Sequence, residues 1–161
     1  MLPPLPSWEG LHPLVVHFPI ALLLVVPFFV LLGLVPKFGC GFGKAALLLA
    51  ILGTGGAWVS VASGEAAASI AVRTPDMAPV LARHAELAET ARLLFTIVTL
   101  AHAAFLVLPA MLKRTLPGVA RALGLILLAA AYQACGLVLA NVGHLGGRLV
   151  HELGVHSWVA S

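Results

Sequence analysis

The chain has 161 residues, of which 61% are hydrophobic and only 9% are charged, and its formal net charge is +3. A soluble domain carries about a quarter charged residues, so this composition excludes an ordinary water-soluble protein. The mean hydropathy of +1.07 indicates an integral membrane protein, and the length suits one domain over residues 1–161. The net charge is better interpreted by where the basic residues lie along the chain, and no nucleic-acid partner is predicted.

Four apolar stretches are long enough to cross a bilayer. They cover about residues 13–35, 45–63, 93–112 and 122–142, and each reaches or approaches the ~20 residues that a helix needs to cross ~30 Å of hydrocarbon. Backbone groups inside a membrane must form their hydrogen bonds within the segment, which forces helices. The sequence therefore predicts an all-α fold, an integral membrane four-helix bundle.

The basic residues predict how the bundle is oriented. The loops after the first and third stretches contain five basic residues and no acid: Lys37, Lys44, Lys113, Arg114 and Arg121. All six acidic residues lie on the other side of the predicted membrane. Because short cytoplasmic loops are enriched in Lys and Arg, we expect both termini on the periplasmic side of a bacterial inner membrane.

Two segments outside the spans carry structural signals. After Asp76, a candidate helix cap, residues 80–89 mix apolar and charged side chains at helical spacing, which predicts an outward extension of the third helix. The tail from Gly143 to Ser161 contains several glycines and is predicted to be broken rather than helical.

Histidine is the residue type that points to chemistry. Six of the seven histidines are predicted to lie near the periplasmic edge: His12, His17, His84, His144, His151 and His156. At ~1.5 Å per residue, His17 and His144 match in depth, and His12 and His84 match more loosely. Only His102 lies near the middle of the membrane.

Imidazole is a strong ligand for haem iron and transition metals, and two histidines on facing helices can hold a haem within a bundle. We predict His17 as the first ligand, with His84 or His144 as its partner, and His12 as a further candidate. The second helix offers space for a ring through small residues at Gly53, Gly56, Ala57, Ser60 and Gly64. Arg83 or Arg148 could pair with the haem propionates.

Each of these features also has a purely structural interpretation. His12 precedes Pro13 where the first helix begins, a usual place for a polar cap. His102 is an alternative haem ligand, but it could instead form a hydrogen bond with Gln133, which is predicted at the same depth. The small residues of the second helix are common in simple helix packing.

The segment His12-Pro13-Leu14-Val15-Val16-His17-Phe18-Pro19 resembles the opening motif of a bacterial four-span membrane family, domain of unknown function 2231. Arg83-His84-Ala85-Glu86-Leu87 and Gly146-Gly147-Arg148-Leu149-Val150 are similar to two shorter motifs of that family. The resemblance covers most of the chain and implies that His12, His17 and His84 act together, in proteins that look like candidate b-type haem carriers. His151 stands where the family has tyrosine and Leu153 where it has histidine, so a role for that tail histidine is not carried over.

We therefore predict a cytochrome b-like electron-transfer protein that binds one or two haem b groups. It would be a subunit of a larger respiratory or photosynthetic complex, exchanging electrons with a periplasmic carrier or with quinone and carrying out no independent catalysis. One alternative is binding or transport of copper or zinc, although the sequence offers few metal-binding side chains inside the membrane for a transport path. The other is a structural subunit without a cofactor, whose histidines form hydrogen bonds.

Overall fold

A computed structural model describes residues 7–35, 37, 39–71 and 74–155 of the chain. Within those residues the regular structure is entirely helical: a 3-10 turn at Glu9–Leu11, followed by α1 (His12–Val15), α2 (His17–Leu32), α3 (Gly39–Ile70), α4 (Met77–Met111) and α5 (Gly118–His151). The turn, α1 and α2 follow one another directly, so that residues 9–32 form one span. Four spans are long and apolar enough to cross a membrane, which confirms the predicted four-helix transmembrane fold.

The helices extend beyond the predicted membrane segments at one end of the bundle. The extension of the third span is confirmed, since α4 begins at Met77. Asp76 occupies the capping position without a side-chain bond, and the Thr74 hydroxyl instead accepts a hydrogen bond from the Met77 amide at 3.3 Å. The first span begins earlier and ends earlier than predicted: α2 ends at Leu32, and the following residues form tight turns.

The predicted break in the glycine-containing tail comes later than expected: the chain turns after His151, with Gly154 at φ +66°, and residues 156–161, including His156, lie outside the described residues. Helix α5 continues through Gly143, Gly146 and Gly147 to His151. A glycine inside a helix costs about 1 kcal/mol relative to alanine, but Gly146 lies against a side chain of α4. At Gly146, packing against α4 therefore accompanies a residue of weak intrinsic helix propensity.

The four spans form a closed ring. Each helix packs against the next along the chain, and α5 packs against α2, so that α2 lies diagonally across from α4 and α3 from α5. The buried core is apolar, with large contributions from Leu23, Val26, Val30, Phe95, Leu125 and Tyr132. Large apolar side chains such as Phe28, Leu100 and Leu127 are more than 60% exposed on the outside, as expected for helices that face lipid.

Small residues of α3 let α2 approach closely. A β-carbon on Gly53 would lie 2.7 Å from Cγ of Leu23 and 3.3 Å from Cβ of Leu22, too close for either to remain in place. Gly56 lies similarly against Pro19. At these two positions the structure agrees with the simple-packing interpretation of the small residues.

We expect Gly53→Ala to destabilise the protein by about 1–3 kcal/mol, because the new methyl group would overpack the contact with buried Leu23. Gly55→Ala is the matched control two residues away, since a β-carbon there would meet nothing within 4 Å. Thermal unfolding in detergent should give a lower midpoint for Gly53→Ala alone. Equal midpoints for the two variants would contradict the close α2–α3 contact.

Candidate functional site

His12, in α1, reaches across to α3 at the end of the bundle where the first span begins and α5 ends, called here the termini end. Its Nδ1 lies 2.8 Å from the backbone carbonyl oxygen of Ser60. The ring lies against Gly64, where a β-carbon would be 2.8 Å from Cε1 and 3.0 Å from Nδ1. His12 therefore bonds to a neighbouring helix rather than to its own, and the predicted capping role is wrong.

His84, in α4, makes the same kind of contact with α5. Its Nδ1 lies 3.1 Å from the backbone carbonyl oxygen of Val142, and a β-carbon on Gly146 would lie 3.3 Å from Cε1. In both contacts the glycine follows the accepting carbonyl by four residues, one helical turn. Because glycine has no side chain, the imidazole can lie against the helix there and reach the carbonyl of the residue one turn before the glycine.

These bonds determine the tautomer of both imidazoles. A backbone carbonyl can only accept a hydrogen bond, so Nδ1 of His12 and of His84 must donate and carries the proton. Nε2 of the neutral ring then keeps its lone pair, which is the form that binds a metal. An Nδ1–H bond to a backbone carbonyl is also a usual way to orient a histidine ligand.

The two imidazoles share one end of the bundle as well as a bonding pattern. His12 and His84 lie on diagonally opposite spans at the termini end, and a positive charge on His12 acts electrostatically on His84. Both side chains are partly buried. The structure thus gives the same end of the bundle and the same kind of contact to the pair that the sequence matched only loosely in depth.

A polar group without a partner lies beside His12. The hydroxyl of Ser60 is buried and has no hydrogen-bond partner among the described residues, whereas the nearby Ser63 hydroxyl donates to the Ser60 carbonyl at 3.1 Å. A buried hydroxyl without a partner costs free energy. The termini end of the interior therefore holds two oriented imidazoles, the Ser63 hydroxyl 3.4 Å from Nδ1 of His12, and the Ser60 hydroxyl, which has no partner among the described residues.

The comparison with protein families gives one match, to a family described as predicted membrane proteins (DUF2231), over residues 9–158. The chain belongs to this family. The match spans both imidazoles and all four helices, and it agrees with the resemblance seen in the motifs. Neither the curated proteins nor the solved structures contain a match to the chain.

In this DUF2231 protein, His17 and His144 do not join the internal pair. Both side chains are exposed on the outside of the bundle. Nδ1 of His17 lies 3.1 Å from the carbonyl oxygen of Pro13 in its own span. Equal depth in the membrane was the signal used to pair them, but depth alone does not say whether a side chain faces the interior.

The two arginines expected near the propionates pair with acids of their own helices. Arg83 donates to Glu86 at 2.7 Å, and Arg148 donates to Glu152 at 2.9 Å. All four side chains are at least 39% exposed, so these pairs contribute little to stability. Both arginines lie at the termini end, as predicted. Because their ion pairs are exposed, replacing the glutamate partner by another carboxylate costs little free energy.

The buried His102 of this DUF2231 chain lies in a separate polar cluster, and its predicted bond to Gln133 is wrong. Gln133 is exposed on the outer face of α5. Nδ1 of His102 instead lies 3.4 Å from the hydroxyl of Tyr132, which lies 3.4 Å from Thr99 Oγ1. Adjacent helix positions are rotated by about 100°, so the neighbouring residue takes the place expected for Gln133. Nε2 of His102 has no partner in the described structure.

Sequence reasoning missed the backbone carbonyls of Ser60 and Val142, because every residue carries a carbonyl and nothing in its side chain marks it. The glycine one turn later is a usable signal. Gly64 and Gly146 each lie on the helix that follows a histidine-bearing helix. A search for glycines opposite histidines in adjacent antiparallel spans would have found both contacts.

Proposed function

We propose that this DUF2231 protein is a membrane electron-transfer protein that binds haem b at the termini end, with His12 and His84 as the axial ligands. One observation carries the proposal: two imidazoles on diagonally opposite spans each donate through Nδ1 to a backbone carbonyl, which leaves both Nε2 atoms for iron. Ser60, whose carbonyl binds His12, also has a buried hydroxyl without a hydrogen-bond partner among the described residues.

The number of donors and their partly buried position favour a haem over a bare metal ion here, because a bare ion held by two imidazoles needs water to complete its coordination. Haem iron takes at most two protein ligands, because the porphyrin supplies the other four. Structural zinc sites generally use four protein ligands and catalytic ones three. Among the described residues, no three His, Cys, Asp or Glu side chains converge as such a site would need, and the internal donor set at this end is two imidazoles.

The chain's own residues would bind and orient the group. Ser60 and Val142 hold the two imidazoles through their carbonyls, and Arg83 and Arg148 supply exposed positive charge for carboxylates at the edge of the bundle. A bound haem supplies a one-electron change at iron. Toward the middle of the membrane the core is apolar, with Phe95 and Leu23 fully buried. This core would prevent water from reaching the haem through the interior of the bundle.

We place the termini end on the periplasmic face of a bacterial inner membrane. All the basic residues of the two loops at the other end support this orientation, because cytoplasmic loops are enriched in Lys and Arg. Electrons would then be exchanged with a periplasmic carrier or with quinone. The small size of the chain and its membrane-facing apolar surface fit a subunit of a larger respiratory or photosynthetic complex.

The direct test is an absorbance spectrum of the full chain purified in detergent, recorded oxidised and after reduction. We expect sharp Soret and α bands that shift on reduction, with one haem b per chain for the His12–His84 pair. A preparation that stays colourless after incubation with haemin would contradict the proposal. Bands from a cytochrome contaminant are recognised because their intensity does not scale with the amount of chain.

A structural role is the second candidate, and the hydrogen bonds of the site favour it specifically. His12 already connects α1 to α3, and His84 already connects α4 to α5, without any added group. In that case His12→Ala and His84→Ala would lower the thermal midpoint of a colourless protein. Measuring the midpoint together with the spectrum therefore separates the two functions.

A further inference from the structure

Two histidines outside the proposed haem site lie on the lipid-facing side of neighbouring helices. His17, at the start of α2, and His144, in α5, are both exposed. Nδ1 of His17 interacts with the carbonyl of Pro13, which fixes the proton on Nδ1 and leaves a lone pair on Nε2. At least one of these imidazoles is thus prepared to bind a ligand from outside the bundle.

Helices α2 and α5 are packed together and leave a shallow groove on the outer surface. Pro27, Phe28 and Leu31 line it on α2, and Ile126, Ala129, Ala130 and Gln133 line it on α5. Above the groove the two helices pack together at Gly136, where a β-carbon would lie 3.5 Å from Cδ2 of Leu24. This contact fixes the register of the two antiparallel helices.

Helical periodicity places both histidines on the groove side of their helices. His17 lies 14 residues from Leu31, about four turns, and His144 lies 18 residues from Ile126, five turns at 3.6 residues per turn. Residues separated by whole turns share one face of a helix. His17 therefore follows the face of Leu31, and His144 follows the face of Ile126.

The register also places them at the same height. His17 is seven residues from Leu24, and His144 is eight residues from Gly136, in both cases toward the termini end. At ~1.5 Å per residue these separations are about 10 and 12 Å. The two imidazoles therefore lie at similar heights on the outer faces of two adjacent packed helices, on the termini side of the α2–α5 groove.

We infer that His17 and His144 form a second site, distinct from the internal pair, that binds a divalent transition-metal ion such as Cu²⁺. Imidazole nitrogen suits copper, zinc and nickel, and the position of both exposed side chains at the termini end, near the predicted edge of the membrane, lets water complete the coordination. The site needs no space inside the bundle and no haem. It therefore holds whether or not His12 and His84 bind a haem.

The test is Cu²⁺ binding to the purified full chain, followed by titration calorimetry and by electron paramagnetic resonance that counts coordinated imidazoles. We expect a site with two imidazoles on one Cu²⁺ ion. His17→Ala and His144→Ala should each remove one imidazole from the spectrum and weaken binding by about tenfold or more. The equal effect of two substitutions on different helices is the mark of a shared site.

The controls are His151→Ala, an exposed histidine at the end of α5, and His12→Ala in the internal pair. Both should keep the two-imidazole signal. A signal that survives either His17→Ala or His144→Ala overturns the proposal, as does a signal lost in His151→Ala. A wild-type spectrum with a single imidazole on Cu²⁺ also overturns it, because it would show that the two side chains do not meet.

Discussion

His12→Ala and His84→Ala are each expected to abolish the spectrum of six-coordinate haem, and this is the largest effect that the structure predicts. Each substitution removes one of the two Nε2 atoms, and the partner imidazole on the diagonal span cannot supply both axial positions. Haem content after purification, and the Soret band of protein reconstituted with haemin, measure the loss. Either variant should retain at most weakly bound, five-coordinate haem.

The control for this experiment is the exposed pair. His17→Ala and His144→Ala should keep the wild-type haem bands, because both side chains face away from the interior. His102→Ala should also keep them, since His102 bonds to Tyr132 deep in the core. Bands that vanish in His17→Ala but persist in His12→Ala would refute the internal pair and restore the ligand first predicted from the sequence.

The second large effect is expected at a residue that binds nothing itself. Gly64→Ala would place a methyl carbon 2.8 Å from Cε1 of His12, so the imidazole has to move away from the Ser60 carbonyl. Loss of the hydrogen bond that orients a ligand typically weakens metal binding by about 10- to 100-fold. Titration with haemin should show this loss, with the residual bands weakened or broadened.

The other glycines provide a graded control series. Gly146→Ala should have a smaller effect, because its β-carbon would be 3.3 Å from His84 and a small shift of the ring suffices. Gly143→Ala and Gly147→Ala should have none, since a β-carbon at either position meets nothing within 4 Å. Should Gly143→Ala weaken haemin binding as much as Gly64→Ala, the effect would not come from the imidazole contact, and the role of Gly64 would be contradicted.

The functional conclusion rests on side-chain direction as much as on residue type. The sequence placed six histidines near one end of the bundle, and two of the candidate ligands, His12 and His84, face inward there. The other two candidates, His17 and His144, match in depth and lie on the outside. Their positions suit an ion site on the surface of the bundle, and a haem held by His12 and His84 would occupy its interior.

The sequence by itself determined the membrane class, the four helices and the family. Hydrophobic length decides whether a segment can cross a bilayer, because the cost of unbonded backbone groups in hydrocarbon is large compared with any local preference. It also determined that α4 extends beyond its apolar stretch at Met77, since polar and apolar residues alternate there at helical spacing. These properties depend on neighbours along the chain.

Only the tertiary structure decided which histidines meet and which carbonyls hold them. Rotation by about 100° per residue separates Tyr132, which contacts His102, from exposed Gln133, and the apolar composition of all faces gives no sign of which side is buried. Lipid and protein interior are equally apolar, so burial leaves little trace in the composition of a membrane helix. The continuation of α5 through Gly146 was decided in the same way, by its contact with His84 of α4, which no local pattern records.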